Sequence, residues 1–426
     1  MPANFIIEGG KSLKGEIPIY GSKNSSLPLI AASLLSAEET VLENVPEISD
    51  VRTMIQIAEK LGAKIEWDTA AKRLRINAKN ITTFSPDEHL ARKLRGSILF
   101  AGSLLGRTRR VVIPFPGGDA IGARPLITHT KALEALGVEI SEENNKVAMD
   151  GRKMRGNEIT LNEPSVTATE NTILAAVLAP GKTVIRLAAC EPHVQELVLM
   201  LQKMGADIKW NGLIRVEING VAHLSGTTHR INPDELEISG FAALAAATRS
   251  ELILTGVEKD YLDAPILQLK KMGVSFEFSE NTLKILKPAA NYKNFRLQSG
   301  LYPKLGSDHL PPFAVLATQA AGTTLIHDWL YEDRLRYIPE LQKMGADCTI
   351  LDQHRARITG PTKLTGCDIT SADIRSGMTL IIAGLVAEGR TTISHIEHID
   401  RGYAKIDERL KNIGANIIRE TSPEIA

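Results

Sequence analysis

A short glycine-containing signature recurs six times along the 426-residue chain and constrains its fold more than any other feature. The copies are Leu61-Gly62-Ala63, Leu136-Gly137-Val138, Met204-Gly205-Ala206, Met272-Gly273-Val274, Met344-Gly345-Ala346 and Ile413-Gly414-Ala415. Successive glycines are 75, 68, 68, 72 and 69 residues apart. Each copy follows an amphipathic helical pattern and precedes a strand-like run. The glycine is therefore predicted to end the helix in a left-handed conformation.

A second pattern leads several of these units, in which a helix of small apolar residues ends near a glycine and a β-branched strand follows. Gly181-Lys182-Thr183-Val184-Ile185 is one example, and the preceding run Ile173–Ala179 is apolar on every side, as in a buried helix. Each unit is thus expected to hold a buried helix, an amphipathic helix and several strands. The period is longer than that of common solenoids, which favours two groups of three units over an open array. The length of the chain also exceeds one ordinary core.

Composition excludes several classes of function. Lys+Arg and Asp+Glu both number 50, so a broad nucleic-acid or membrane footprint is not expected, although a local basic pocket is allowed. The first ten residues show no signal-peptide pattern, and no apolar run is long enough to cross a bilayer. Cys190, Cys348 and Cys367 lack CxxC spacing, which is typical of buried thiols in a reducing compartment. We therefore expect a cytoplasmic protein.

Function is expected in the loops between units. Pro114–Pro125 follows the strand-like run Arg110–Ile113 and contains three glycines, three prolines, Asp119 and Arg124. Such a loop can bring an acid and a guanidinium to one anionic substrate, and a well-packed turn is the alternative. Immediately before it, Arg107–Arg110 is predicted to be a solvated turn.

Two further basic residues lie beside apolar helices. Gly21–Pro28 is a small polar run that opens a helix, and Lys23 there suits a phosphate, with ordinary helix capping as the equal alternative. Arg95 enters an apolar helix and needs either an ion-pair partner or a ligand.

Four charged motifs occupy the last third of the chain. They are Ser307-Asp308-His309 in a predicted loop, Glu332-Asp333-Arg334 after a strand, Asp373-Ile374-Arg375 before a small-residue helix, and His398-Ile399-Asp400-Arg401-Gly402-Tyr403. Three of them place an Asp next to, or two residues before, an Arg, and taken singly each of these three is best interpreted as a structural ion pair. If the two groups of units face each other, Arg334, Arg375 and Arg401 could join Lys23, Arg95 and Arg124 around a small anion that bears phosphate and carboxylate. Walker, GxGxxG, GxSxG and HExxH motifs are absent from the sequence.

On these motifs the chain resembles the UDP-N-acetylglucosamine 1-carboxyvinyltransferase family of enolpyruvyl transferases, in the EPSP synthase superfamily. The motifs that carry the resemblance are Gly21-Ser22-Lys23-Asn24, the Pro116–Pro125 loop, Pro164-Ser165-Val166, Glu332-Asp333-Arg334, Asp373-Ile374-Arg375 and His398–Tyr403. It covers essentially the whole length, whereas the shikimate-pathway enzyme lacks the Pro-Gly-Gly loop. The implied fold is α/β, a two-domain inside-out α/β barrel with three βαβαββ units per domain. The implied domains are 22–229, with the catalytic loop, and 1–21 together with 230–426.

The resemblance also implies a reaction. The enolpyruvyl group of phosphoenolpyruvate is transferred to the 3-hydroxyl of UDP-N-acetylglucosamine and phosphate is released, in peptidoglycan precursor synthesis. The family uses no metal or organic cofactor, and it binds its substrates between the domains, which close by induced fit and exclude water. Its members imply a monomer whose partners are these two small molecules, with neither nucleic acid nor membrane.

Individual roles follow from the same resemblance. Asp119 matches the acid that protonates the methylene carbon, Asp308 matches the carboxylate near the accepting hydroxyl, and Lys23 and Arg401 complete the catalytic set. Lys23, Arg124 and Arg401 match phosphoenolpyruvate contacts, and Arg334 and Arg375 match further anion contacts. The positions that match the rest of the substrate site are Asn24, Arg95, Pro125, Leu126, Ile127, Thr128, Glu163, Pro164, Ser165, Val166 and Leu330.

The sequence departs from the family pattern at two places. Most members have Cys where this chain has Asp119, so insensitivity to thiol-directed epoxides such as fosfomycin is expected. The run Arg124–His129 lacks an Asp-Leu pair usual near the uracil end of the acceptor, and Glu163 replaces a residue that is often Lys or apolar. Two alternatives therefore stay open: an enolpyruvyl transferase with another acceptor, and a catalytically silent relative that binds nucleotide sugars.

Overall fold

The computed structural model describes residues 3–119 and 121–421, so Met1, Pro2, Ala120 and the last five residues lie outside the described part. Two compact units divide the chain. The first unit combines Met1–Tyr20, Asp119–Ala123 and Pro233–Ala426, as far as these residues are described. The second unit combines Gly21–Gly118 and Arg124–Asn232. Each unit is thus discontinuous in sequence.

The described residues form helices and strands in regular alternation. The helices are α1 (Lys23–Ser33), α2 (Ser49–Leu61), α3 (Glu88–Ala91), α4 (Leu99–Thr108), α5 (Ile127–Ala135), α6 (Val166–Ala176), α7 (Pro192–Lys203), α8 (Glu235–Ala247), α9 (Asp263–Met272), α10 (Leu310–Thr318), α11 (Tyr337–Lys343), α12 (Ile374–Val386), α13 (Glu397–Asp400) and α14 (Ile406–Lys411). Single 3₁₀ turns cover Arg95–Ile98, Ser307–His309 and Arg334–Arg336.

The strands are β1 (Ala3–Glu8), β2 (Lys14–Pro18), β3 (Glu39–Glu43), β4 (Lys64–Asp68), β5 (Arg73–Asn77), β6 (Arg110–Pro114), β7 (Glu139–Glu143), β8 (Lys146–Asp150), β9 (Glu158–Thr160), β10 (Lys182–Arg186), β11 (Asp207–Trp210), β12 (Arg215–Asn219), β13 (Thr228–Arg230), β14 (Glu251–Thr255), β15 (Phe276–Ser279), β16 (Thr282–Ile285), β17 (Tyr292–Lys293), β18 (Arg296–Gln298), β19 (Ala320–His327), β20 (Asp347–Asp352), β21 (Arg355–Gly360), β22 (Asp368–Thr370), β23 (Arg390–Ser394) and β24 (Asn416–Thr421).

The helices fall into the two kinds that the sequence predicts. In the second unit α1, α4 and α6 are buried along nearly their whole length and pack on neighbouring helices. In the first unit α8, α10 and α12 are buried in the same way and pack on one another. The helices that alternate with them, such as α2 and α7, bury one face only. The prediction of one buried and one amphipathic helix per unit is confirmed.

The glycine of the recurring signature has the predicted left-handed conformation in all six copies. Their φ angles lie between 81° and 111°. Gly62 ends α2 and Gly273 ends α9, and in each case the glycine N–H bonds back to a carbonyl of the last helical turn. A side chain at such a φ is strained, which explains why the signature keeps glycine.

The second unit contains three sheets. Their strand orders are β13-β3-β5-β4, β6-β8-β7 and β11-β12-β10-β9. The last sheet shows the repeat most completely, because β9 and β10 are parallel and joined through α6, and β10 then pairs antiparallel with β12. In the sheet of β6 the described residues supply three strands rather than four.

The first unit also contains three sheets, with strand orders β15-β16-β14-β2, β17-β19-β21-β20 with β18 beside β19, and β22-β23-β1-β24. Two of them take a strand from the start of the chain. β2 pairs parallel with β14, and β1 lies antiparallel between β23 and β24, with Phe5 opposite both Ile393 and Arg419. The strand β13, which precedes α8 in the chain, belongs to the second unit. It pairs parallel with β3 and forms the edge of that sheet.

Three local predictions need correction. Ser307–His309 is a 3₁₀ turn that leads directly into α10 rather than a loop, and Arg95 begins a 3₁₀ turn before α4. Arg107–Arg110 is not a simple solvated turn. Arg109 has a left-handed φ of 60° at the end of α4, and its guanidinium donates to the Leu178 carbonyl at 2.6 Å.

Within the described residues, no helix is both long and apolar enough to cross a membrane.

Candidate active site

The loop that follows β6 begins with tight packing inside the second unit. A Cβ at Gly117 would lie 1.8 Å from the Arg92 carbonyl oxygen, so the backbone approaches there more closely than any side chain would allow. Arg95, half-buried in the 3₁₀ turn just beyond, donates from Nη2 to the Pro125 carbonyl at 3.5 Å. The glycines thus fix the start of the loop against the segment that carries Arg95.

Asp119 and residues 121–123 belong to the first unit and are held there by three hydrogen bonds and a close approach of Gly122 to Glu332. The Asp119 carboxylate accepts a hydrogen bond from Nη1 of Arg401. The Ala123 N–H donates to Oε1 of Glu332 at 2.8 Å, and the Asp333 N–H donates to the Ile121 carbonyl at 3.1 Å. A Cβ at Gly122 would lie 2.5 Å from Oε2 of Glu332. The Ala123 N–H lowers the pKa of the Glu332 carboxyl by binding its anion.

Asp308 lies between two arginines in the first unit. Its Oδ1 accepts from Arg334 Nη2, and its Oδ2 accepts from Arg375 Nε at 3.0 Å. Both arginine side chains are at most 4% exposed, whereas the Asp308 side chain is 33% exposed. Two buried cations therefore stabilise the carboxylate form of Asp308 and orient it, while the carboxylate itself remains accessible.

Asp373 supports the same pair of arginines. Its Oδ1 accepts the N–H groups of Arg375 and Ser376 at 2.9 and 3.1 Å, so it caps α12. Oδ1 also lies 3.4 Å from Nη1 of Arg334. Arg375 in turn donates from Nη1 to the Tyr403 hydroxyl at 3.1 Å. Burial raises the pKa of Tyr403 to about 12, so the hydroxyl stays protonated at neutral pH.

The arginines of the charged motifs form ion pairs, but not with the acidic residues next to them in the sequence. Arg334 binds Asp308 and Asp373 rather than the adjacent Asp333. Arg401 binds Asp119, and Asp400 binds Arg419 at 2.8 Å. The interpretation of the three Asp/Arg motifs as structural ion pairs is thus confirmed, and the pairs form between residues that are distant in sequence.

Lys23 lies in the second unit at the first position of α1. Ser22 caps this helix through Oγ, which accepts the Ser25 N–H at 3.3 Å, so the capping interpretation holds. Nζ of Lys23 lies 2.8 Å from Oδ2 of Asp50, and both side chains are at most 10% exposed. Sequence reasoning missed Asp50, whose only signal was a charged residue at the start of an amphipathic helix.

Most of the positions that the resemblance assigns to the nucleotide-sugar site lie around α5 and α6 of the second unit. Thr128 Oγ1 donates to Glu163 Oε1 at 3.3 Å, and Ser165 caps α6. Behind them the ring of His129 contacts Thr167 at 3.1 Å and Asn171 at 3.0 Å. Leu330 lies in the first unit, half-buried in the turn after β19. Glu332 was recognised as part of a motif, but its contact with Ala123 was missed.

Comparison with known proteins supports this description. The family model described as EPSP synthase (3-phosphoshikimate 1-carboxyvinyltransferase) matches residues 7–410. The chain is 43% identical over 424 residues to a protein of Treponema denticola named UDP-N-acetylglucosamine 1-carboxyvinyltransferase, covering 97% of this chain and 98% of that one. A protein of Carboxydothermus hydrogenoformans named UDP-N-acetylglucosamine 1-carboxyvinyltransferase 1 is 40% identical, and the match covers 99% of each chain.

Solved structures share the fold. The enolpyruvyl transferase NikO from Streptomyces tendae has a TM-score of 0.91 at 23% identity, covering 99% of this chain and 100% of that one. EPSP synthase from Acinetobacter baumannii has a TM-score of 0.77 at 21% identity, with the same coverage. The predicted α/β fold of enolpyruvyl transferase type is thereby confirmed. The chain belongs to the EPSP synthase family of enolpyruvyl transferases, and within it to the group of relatives named UDP-N-acetylglucosamine 1-carboxyvinyltransferase.

Proposed function

We propose that this protein transfers the enolpyruvyl group of phosphoenolpyruvate to the 3-hydroxyl of UDP-N-acetylglucosamine and releases phosphate, in peptidoglycan precursor synthesis. The observation that carries the proposal is the 43% identity, over nearly the whole of both chains, to a relative of that name. The arrangement of Asp119 with Arg401, and of Asp308 between Arg334 and Arg375, supports it.

The reaction needs one proton donor and one proton acceptor. Asp119, as a carboxylic acid, gives its proton to the methylene carbon of phosphoenolpyruvate while the sugar hydroxyl attacks the neighbouring carbon. Asp308 accepts the hydroxyl proton, a role that suits a carboxylate held in its ionised form by two guanidinium groups. Loss of the added proton and of phosphate from the tetrahedral adduct then gives the enolpyruvyl ether.

The anionic groups of phosphoenolpyruvate need cations, and Lys23, Arg124 and Arg401 are proposed to supply them. Arg401 also binds Asp119. A phosphate or carboxylate of the substrate would compete with Asp119 for this guanidinium. Arg401 would thus link substrate binding to the position of the acid.

Arg334 and Arg375 are proposed to act on the substrate mainly through Asp308. Both are almost fully buried and already bonded to acidic groups or to Tyr403. Their assignment as additional anion contacts stays a prediction. The remaining substrate residues are proposed to be Asn24 and Arg95 with the clusters 125–128 and 163–166, together with Leu330.

We further propose a cytoplasmic monomer whose two domains are 22–229 and the combination of 1–21 with 230–426. The two small-molecule substrates are its proposed partners. The observed division into two discontinuous compact units supports this domain assignment.

A second candidate is an enolpyruvyl transferase with a different acceptor. Two observations favour it. Ile127 is 47% exposed at the start of α5, where the family usually has Asp. Glu163 places a carboxylate beside Thr128, where diphosphate recognition is expected, and like charges repel.

Phosphate release from phosphoenolpyruvate, measured with a panel of acceptors, separates these functions. The panel contains UDP-N-acetylglucosamine, its 4-epimer UDP-N-acetylgalactosamine and shikimate 3-phosphate. Release with UDP-N-acetylglucosamine at a kcat/KM well above that of the others supports the proposal. A preference for another acceptor supports the second candidate. Absence of release with every acceptor, combined with nucleotide-sugar binding, would identify a silent relative.

A further inference from the structure

Asp328 is a fully buried carboxylate that none of the steps above uses. It lies one residue beyond β19 and has no exposed surface. Its side chain accepts four hydrogen bonds, two from serine hydroxyls and two from backbone N–H groups. A buried carboxylate is costly unless its oxygens are bonded in this way, so its position must be set by the groups around it.

One side of Asp328 reaches the residue next to Asp308. Oδ2 of Asp328 accepts a short hydrogen bond from Oγ of Ser307, which is 4% exposed and immediately precedes Asp308 in the 3₁₀ turn. Asp308 is bound by Arg334 and Arg375 through its own oxygens. The Ser307 bond therefore fixes the backbone of the turn that presents Asp308.

The other side of Asp328 holds the turn that contains Leu330. Oδ1 accepts the N–H groups of Leu330 at 2.9 Å and Tyr331 at 3.2 Å. Oδ1 also accepts a hydrogen bond from Oγ of Ser299 at 3.2 Å. The Ser299 Oγ in turn accepts the Trp329 N–H at 2.8 Å. The backbone of residues 329–331 is thus tied to one carboxylate and one hydroxyl.

The turn continues directly into Glu332, which binds the Ala123 N–H at 2.8 Å. At the base of the turn, Asp328 exchanges backbone and ring hydrogen bonds with His354. The Asp328 N–H donates to the His354 carbonyl, and Nδ1 of His354 lies 2.8 Å from the Asp328 carbonyl oxygen. One buried group therefore connects the Asp308 turn, the Leu330 turn and the segment that carries Asp119.

We propose that Asp328 is a positioning residue that sets the spacing between the Asp308 carboxylate and the Leu330–Glu332 turn, through Ser307 on one side and Ser299 on the other. This inference rests on the proposed function, because it assigns the Ser307 side to the chemical step and the Ser299 side to acceptor binding. Asp328 touches no substrate in this scheme. It acts through the two serines and the backbone.

The two serines allow the two sides of Asp328 to be tested separately. Ser307→Ala removes the hydroxyl beside Asp308, and we expect kcat to fall about tenfold with an unchanged KM for UDP-N-acetylglucosamine. Ser299→Ala loosens the Leu330 turn, and we expect that KM to rise about tenfold with kcat nearly unchanged. Asp328→Asn should move both parameters. Ser307→Thr keeps the hydroxyl and should restore kcat.

Asp352→Asn is the matched control. Asp352 also accepts a backbone N–H, that of His354 at 2.9 Å, and an arginine, but it lies at the surface. This variant should leave kcat and KM unchanged. Equal kinetics for Ser307→Ala and wild type, or the same parameter changed by both serine variants, would overturn the proposal even if Asp328→Asn fails to fold.

Failure of the proposed function is distinguishable from failure of this inference. If the wild type releases no phosphate with UDP-N-acetylglucosamine, the proposed function fails. The positioning role is then judged by amide hydrogen exchange. Exchange at Leu330 and Tyr331 should accelerate in Ser299→Ala and stay at the wild-type rate in Asp352→Asn. Unchanged exchange in Ser299→Ala would refute the inference.

Discussion

At the scale of single residues, the contact between Asp119 and Arg401 combines two requirements that oppose each other. The side chains are 14% and 17% exposed, so their pairing is only partly screened by water. A guanidinium partner stabilises the carboxylate, whereas the proposed step needs the carboxylic acid. A substrate anion would compete with Asp119 for Arg401, so this contact is expected to weaken when phosphoenolpyruvate binds.

Replacing Asp119→Asn should test this role directly. The amide keeps an oxygen for Arg401 but has no proton to donate to carbon, so kcat should fall at least about 10³-fold. Binding of UDP-N-acetylglucosamine, measured by calorimetry, should stay close to that of the wild type. Turnover near the wild-type rate would show that the proton comes from another group.

The same position should determine sensitivity to fosfomycin. A carboxylate is a weaker nucleophile toward an epoxide than a thiolate, so the wild type should show no time-dependent inactivation. Asp119→Cys places a thiol beside Arg401, whose charge favours the thiolate, and should make the enzyme susceptible to stoichiometric alkylation. Mass spectrometry of the modified protein is the measurement. An adduct on wild-type Asp119 would contradict this prediction.

Sequence identified the charged residues of the candidate site but not their partners. Neighbouring residues such as Asp333 and Arg334 point in different directions, because i and i+1 positions do not share a face. Arg334 instead reaches Asp308 and Asp373, which come from elements distant in the chain. Asp50 beside Lys23 and Asp328 beside Ser307 were missed for the same reason.

At the scale of elements, the six glycines that follow the amphipathic helices share a backbone conformation but not an environment. At Gly62 (φ 111°) a Cβ would lie 2.3 Å from the Asn80 carbonyl oxygen. At Gly205 (φ 97°) a Cβ would meet nothing within 4 Å. Substitutions at these two glycines therefore separate the free-energy cost of the left-handed conformation from that of steric overlap.

Gly205→Ala should lower the free energy of unfolding by about 1–2 kcal/mol, the cost of a left-handed conformation for a residue with a Cβ. Gly62→Ala should cost clearly more, because backbone must move away from the new methyl group. Urea unfolding of the two variants at one pH measures the difference. Equal losses would show that the chain around Asn80 relaxes freely.

These caps were predictable because helix ends are encoded within a few residues. The partners of the edge strands were not predictable. The local pattern before α1 indicates a strand but not its partner, and β2 pairs with β14 while β13 pairs with β3. Strand pairing over such separations depends on the packing of a whole unit, so the repeat alone cannot assign it.

At the scale of the whole molecule, each unit contains a buried histidine whose pKa lies well below its usual range. Burial lowers the pKa of His129 to about 3 in the second unit and that of His309 to about 4 in the first. His129 contacts Thr167 and Asn171, and His309 contacts Ser239 at 2.7 Å. In the unfolded chain both side chains take up a proton near pH 6.5. Below that pH the unfolded state binds more protons, so stability falls as the pH falls.

Between pH 7.5 and 5.5 each histidine should remove about 1.4 kcal/mol from the free energy of unfolding. His309→Asn keeps a partner for Ser239 without a titrating ring, and should reduce the loss by that amount. His129→Asn should act similarly on the second unit. Urea titrations at the two pH values would contradict the prediction if either variant loses as much stability as the wild type.

The insertion of β1 between β23 and β24 has a consequence for biosynthesis. The strand β1 pairs with β23 and β24, which are synthesised roughly 380 residues later, or roughly 20–80 s later at ordinary rates of translation. Throughout that time Phe5 and Ile7, both fully buried in the finished sheet, have no partner strands. The second unit ends at Asn232, so all of its residues are made well before β23 and β24. The sheet of β1 can be completed only after β23 and β24 have been made, and until then the unpaired β1 is a strand prone to aggregate with neighbouring polypeptides.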